Sequence, residues 1–302
     1  MADPLEIAIS VGSNDAVMWA DPDKVQDRRP QLVPSDAYYS SQWHLKSATS
    51  YNGIPVDINA ESAWNLTTGS SAVRVAVIDD GVDALHASEL LNAFSGANGY
   101  DLMAALSSGD GVFNPYGNDT HGTSIAGLIF ARHGDGGVAG IAPGTRMNVA
   151  RIFRRSYDLP QNRQTASDAD IANAINWAWQ SVASDVISNS WGGGAPSAAI
   201  DQAIVNATTL GRGGKGTVVV FSAGNHPAAQ PNKPVTYPAT HPSVIAVSAI
   251  GPSGTRASYS AQGNEVDIAA LSGDLTGTCI GALVTIDLWS YDGCNDFPVK
   301  LP

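Results

Sequence analysis

The chain has 302 residues, 43% of them hydrophobic, with 16 basic against 28 acidic side chains and a net charge of -12. That length buries one large core and allows one or two domains. The acidic balance argues against nucleic-acid binding, which rests on neutralising phosphates with Lys and Arg, and no apolar run reaches the roughly 18 residues of a membrane span.

In chain order, the N-terminus Met1-Ala-Asp-Pro-Leu-Glu6 lacks the basic-then-apolar pattern of a secretory signal peptide. Residues 1–36 are rich in Asp and Pro with weak periodicity and read as a tail or the remnant of a preceding segment. Val73 to Ile78 is apolar and β-branched, as a strand buried in a parallel sheet would be. Ser124 to Arg132 reads as a helix and Asn148 to Phe153 as a strand. Ser167 and Asp170 form a capping box, after which Ile171, Ile175, Ala178 and Val182 line one helical face. That helix leads into Val186-Ile-Ser-Asn-Ser-Trp191. The next helix, Ser197 to Leu210, is stopped by Gly211 in a glycine-rich turn through Gly216. Strands are expected at Thr217–Phe221 and Val244–Val247. Such alternation predicts an α/β fold with a mostly parallel sheet covered by helices on both faces. Cys279 and Cys294 enclose no histidine and cannot alone make a tetrahedral zinc site. They either close a local disulfide loop, which implies an oxidising compartment, or stay as two thiols.

Three positions carry candidate chemistry. Asp79 falls at the carboxyl end of its strand, where catalytic groups gather in open α/β sheets. It either orients a catalytic base or caps the next turn. An Asp-Asp pair at a strand end also occurs in phosphoacceptor receiver domains, but those are shorter and need a further acidic cluster and a later lysine. His121 precedes Gly122, Ala126 and Gly127, whose small size lets a helix start pack closely and hold a general base. Of the other histidines, His86, His133 and His241 lie in turn-like or proline-flanked contexts and are expected to be exposed. Asn225 follows the apolar strand ending at Phe221; it is either a left-handed turn residue or a side-chain donor to a developing oxyanion.

Taken together and in this order, Val75 to Gly81, His121 to Gly127 and Ser222 to Asn225 resemble the motifs of the subtilisin-like serine proteases, over roughly residues 37 to 295. The resemblance implies a three-layer α/β fold in which Asp79 orients and charge-stabilises His121, His121 deprotonates a serine, and Asn225 stabilises the oxyanion. It makes Ser190, Trp191 and Gly192 the edge on which a peptide or protein substrate pairs as an added strand. It also makes Tyr237 to Val247 the strand beyond the specificity pocket and Ala257 to Ser260 the next strand. Asp79-Asp80-Gly81 and Gly211 to Gly216 resemble the kexin-like branch, which assigns Asp80 to substrate binding. Gly193, Gly194 and Ala195 stand where that branch places acidic residues, which puts cleavage after paired basic residues in doubt. The loop Gly134 to Pro143 resembles the family's calcium loop, with Asp135 and Glu89 as oxygen ligands; a solvated turn is the other reading.

No Gly-Thr-Ser follows Asn225, although Val284-Thr-Ile-Asp287 resembles the strand that precedes the serine turn. The peptidase domain, residues 37–302, is therefore expected to be incomplete at its C-terminus, truncated before the nucleophile. Two functions follow: a serine endopeptidase domain, inactive as it stands, or a non-catalytic peptide-binding pseudoprotease. By resemblance the protein acts as a monomer in an extracellular or periplasmic setting.

Overall fold

The computed structural model describes residues 10, 32–47, 50–51, 53–83, 87–90, 93–94, 99–101, 121–134, 136–155, 164–273 and 285. Seven segments pair into one sheet: β1 (Arg74–Asp79), β2 (Gly99–Asp101), β3 (Arg146–Arg151), β4 (Val186–Asn189), β5 (Val218–Ser222), β6 (Ile245–Ile250) and β7 (Ile268–Leu271). Their order across the sheet is β7-β6-β5-β4-β1-β3-β2. Every ladder in it is parallel, so all seven carboxyl ends lie on one edge. The chain leaves β1 toward β2, returns through β3, and then places β4 on the opposite flank of β1. The carboxyl end of β1 is thus the switch point at which open α/β sheets bind ligands.

Among the described residues, five α-helices accompany the sheet: α1 (Ala60–Trp64), α2 (Ala87–Leu90), α3 (His121–Phe130), α4 (Asp168–Asn176) and α5 (Ala198–Gly214). The two-residue period of β1 divides its side chains between two cores. Ala76 and Ile78 join Ile171 and Ile175 of α4 and Ile200 and Ile204 of α5. Val75 and Val77 join Ala126 and Phe130 of α3 and Leu90 of α2. This is the expected three-layer α/β arrangement. A smaller cluster of Leu45, Ala60, Trp64 and Ala139 seats α1.

The local signals for α4 and α5 act as expected. The Ser167 hydroxyl accepts from the Asp170 amide at 3.2 Å, and Ile171, Ile175 and Ala178 are buried. Beyond Asn176 the helix widens into a π turn, Trp177–Ser181, and Val182, expected on the same face, is only half-buried. Helix α5 breaks at Gly211, where a Cβ would lie 2.2 Å from Thr217 Oγ1 and 2.8 Å from its amide nitrogen.

Elsewhere the structure corrects the sequence reading. Helix α3 starts three residues before Ser124, at His121 itself. Ala257 to Ser260, expected as a strand, is a turn region carrying the isolated bridge Asn225–Ser260; the next strand is β7. His133 and His241 are half-buried rather than exposed; the His133 ring centroid lies 4.5 Å from that of Trp64, and its Nε2 lies 2.9 Å from the Gly140 carbonyl. His86, Cys279 and Cys294 lie outside the described residues.

Candidate active site

Asp79 is the last residue of β1 and only 1% exposed. Its two carboxylate oxygens stand 2.9 and 3.0 Å from His121 Nδ1, and Oδ1 also accepts the Asp80 amide at 2.8 Å. With Nδ1–H donated to the carboxylate, the neutral ring carries its lone pair on Nε2, the nitrogen a general base uses. The hydrogen bond to Asp79, backed by the negative charges of Asp79 and Asp80, outweighs burial and pushes His121 up to about 9. The ring is not sealed in: 52% of the side chain is accessible.

The start of α3 is held by the loop after β1. Asp80, 1% exposed, accepts the Gly122 amide at 2.7 Å and the His121 amide at 3.3 Å. In return Thr123 Oγ1 accepts the Asp83 amide at 2.9 Å. The approach is so close that a Cβ on Gly122 would fall 2.2 Å from the Gly81 carbonyl oxygen and 3.1 Å from Asp79 Cβ. Asp80, expected at the substrate, therefore has its carboxylate turned onto the helix terminus.

Ser190, Trp191 and Gly192 continue from the carboxyl end of β4. Trp191 Nε1 donates to the Ile78 carbonyl at 2.8 Å, one residue before Asp79. Its ring meets Phe153 and Phe221 nearly edge-on, at centroid distances of 5.7 and 5.1 Å. The Gly193 amide donates to the Tyr237 carbonyl at 2.7 Å, so this segment runs beside 236–237. Asn225, exposed, follows β5 on the same sheet edge as Asp79, with β4 between their strands. The direct side-chain contact among the three catalytic candidates is Asp79 with His121.

Glu89 of α2 is 4% exposed, and its carboxylate lies against Gly137, where an added Cβ would fall 1.3 Å from Oε1. The same loop is bracketed by two residues that sequence reasoning missed. Gln42 donates to the Ala139 carbonyl at 3.0 Å and accepts its amide at 2.7 Å. Asp36 accepts the Gly134 amide at 2.9 Å. Neither has a local sequence signature, since each partner lies almost a hundred residues away. Asp135 is outside the described residues, and among the described residues no three His, Cys, Asp or Glu side chains form a group that could hold a metal ion.

A family model described as the subtilase family matches residues 70–292. The chain belongs to that family. This subtilase is 30% identical over 273 residues to a thermophilic serine proteinase of Bacillus sp. (strain AK1), covering 90% of this chain and 59% of that one. It is 34% identical over 215 residues to subtilisin E of Bacillus subtilis (strain 168), covering 71% of this chain and 50% of that one. It is 30% identical to a calcium-dependent protease of Nostoc sp., covering 86% of this chain and 38% of that one. The chain thus spans about half the length of the curated relatives it matches. Among solved structures, a protease of Pseudoalteromonas arctica superposes with a TM-score of 0.65 at 27% identity, covering 85% of this chain and 80% of that one.

Proposed function

We propose that residues 37–302 form the peptidase domain of a serine endopeptidase, in which Asp79 and His121 serve a serine nucleophile and Asn225 the oxyanion; of the preceding segment 1–36, Asp36 is bonded to the domain at Gly134. The observation that carries this reading is the two-oxygen grip of Asp79 on His121 Nδ1, at 2.9 and 3.0 Å. A base held in this way favours the peptidase over the pseudoprotease reading. Ser190 to Gly192 would take an extended peptide along the edge not used by Tyr237.

The 302 residues hold no Gly-Thr-Ser after Asn225, and we propose that they are catalytically inert by themselves. Burial supports this. On the sheet face that carries α3, Val186 and Ser188 of β4, Val220 and Ser222 of β5 and Val247 of β6 are half-buried, and Ile245 is 39% exposed. On the other face Ile187, Val219, Phe221 and Ala246 are buried. Central parallel strands are ordinarily covered on both sides, and a helix bearing the nucleophile would complete this face. Asp79-Asp80-Gly81 and Gly211 to Gly216 support placement in the kexin-like branch, but with Asp80 on the helix a preference for paired basic residues is not part of the proposal. A calcium ion would find Glu89 and the carbonyls of the 136–140 loop as hard oxygen donors, lending stability rather than chemistry. The extracellular or periplasmic setting and a monomeric state complete the reading.

The test combines a fluorophosphonate probe with peptide titrations followed by His121 ring resonances. We expect no labelling and no turnover, with extended peptides shifting the ring. Stoichiometric labelling at any serine of the chain would overturn the inert reading, and the absence of any peptide response would overturn the cleft.

A further inference from the structure

Two consecutive carboxylates at the end of β1 hold the same histidine in different ways. Asp79 takes the ring; Asp80 takes the backbone, one oxygen on the Gly122 amide at 2.7 Å and the other on the His121 amide at 3.3 Å. These amides belong to the first turn of α3, whose N–H groups have no partner within the helix. The side chain that serves them comes from 41 residues upstream. A carboxylate there gains twice, from charge-assisted hydrogen bonds and from the positive end of the helix dipole. Burial to 1% exposure, with both oxygens engaged, leaves Asp80 turned away from any peptide lying over the sheet edge.

We infer that Asp80 is a positioning residue for His121: from the loop directly after the strand that carries Asp79 it caps the helix that carries the histidine, and it does not contact substrate. This rests on the proposed role of His121 as base and extends it. The cap sets the position and direction of the His121 Cα–Cβ bond, while Asp79 sets the rotation of the ring. Because the two acids are adjacent and the Asp80 amide itself bonds Asp79 Oδ1 at 2.8 Å, the strand end and the helix start move as one piece. Thr123 and Gly122 complete the joint, one by bonding back to Asp83 at 2.9 Å and the other by having no Cβ where the Gly81 carbonyl sits. The same carboxylate also lies close enough for its charge to add to the upward shift of the ring's pKa.

The test uses the whole chain with Asp80→Ala, Asp80→Asn and a remote control, Ser167→Ala, which removes the cap of α4. Three readouts are taken: amide hydrogen exchange at His121 and Gly122, the NMR titration of the His121 ring, and affinity for extended peptides that differ in one basic residue. Asp80→Ala should speed exchange at the two amides about fivefold to tenfold and lower the ring's titration midpoint. Asp80→Asn, an equally good cap, should restore amide protection. Ser167→Ala should lower the melting temperature and leave His121 unchanged. Should Asp80→Ala not fold, Asp80→Ser decides, since its single oxygen serves only one of the two amides and the other should exchange faster. Wild-type exchange and titration in the alanine or serine variant would overturn the inference. So would loss, in Asp80→Asn, of a preference for the basic peptide, because Asp80 would then be a substrate contact. If no peptide binds at all, the proposed function fails while exchange and titration still decide the role of Asp80.

Discussion

The half of the sheet built on β1 and β3 and the half that finishes at β7 differ sharply. Strand β1 is buried from Val75 through Asp79, and β3 from Met147 through Arg151, with helices on both faces. At the other end, Ile268, Ala269 and Ala270 of β7 are all exposed, and β6 has one face open. The catalytic candidates are divided between these regions. Asp79 and His121 sit on the packed end and already have bonding geometry; Asn225 follows β5, next to the open end, and is exposed. A base and its orienting acid can be set by a finished core. A donor aimed at a reacting carbonyl needs the rest of the cleft around it.

The comparison breaks first in the core. Phe130→Ala, which removes a ring only 1% exposed, should cost about 3–5 kcal/mol in chemical denaturation. Ile268→Ala, at a side chain 58% exposed, should stay within about 0.5 kcal/mol. Equal losses would mean that the open end is covered in solution.

A pH series should separate two histidines of opposite sign. Burial at 3% exposure pushes His44 down to about 4. Its folded form refuses a proton that the unfolded chain accepts, so this contribution is complete above pH 6.5 and is lost as pH falls from there toward 4, by about 3 kcal/mol. His121, raised to about 9, works the other way: its contribution is complete below pH 6.5 and is lost as pH rises through 9. Urea midpoints measured from pH 4 to 10 for the wild type, His44→Phe and His121→Ala should resolve both limbs. A flat acid limb in the wild type would remove the His44 assignment.

The last test is confined to one pair of side chains and is the sharpest in position. Asp79→Asn removes the charge that supports the imidazolium, so the His121 ring should titrate near or below its ordinary 6.5. An unmoved NMR midpoint would detach Asp79 from His121 and undo the pairing.

What the sequence made legible was local. Ser167 and Asp170 lie within one turn, Gly211 ends α5 by contact with nearby Thr217, and the valines of β1 announce a strand buried on both faces. The Asp79, His121 and Asn225 motifs were legible as a pattern whose order implied a common site. What escaped depended on distant partners. The start of α3 was placed too late because its cap comes from Asp80 on another element. His133 looked like a turn residue because nothing near it announces Trp64. Ala257 to Ser260 alternates like a strand, but its ladder position is taken by Ile268–Leu271, a four-residue edge strand too short to show a period and mostly exposed. The loop clamps Asp36 and Gln42 lie in a segment without periodicity.

The hydrogen bond from Trp191 to the Ile78 carbonyl places an indole one residue from the acid of the pair, half-buried between Phe153 and Phe221. Indole emission moves to longer wavelength when water reaches the ring, so the chain carries a light-emitting gauge at the strand end itself. Retaining Trp191 while replacing the other tryptophans with Phe would give a spectrum in which fraying of this strand end is seen apart from global melting.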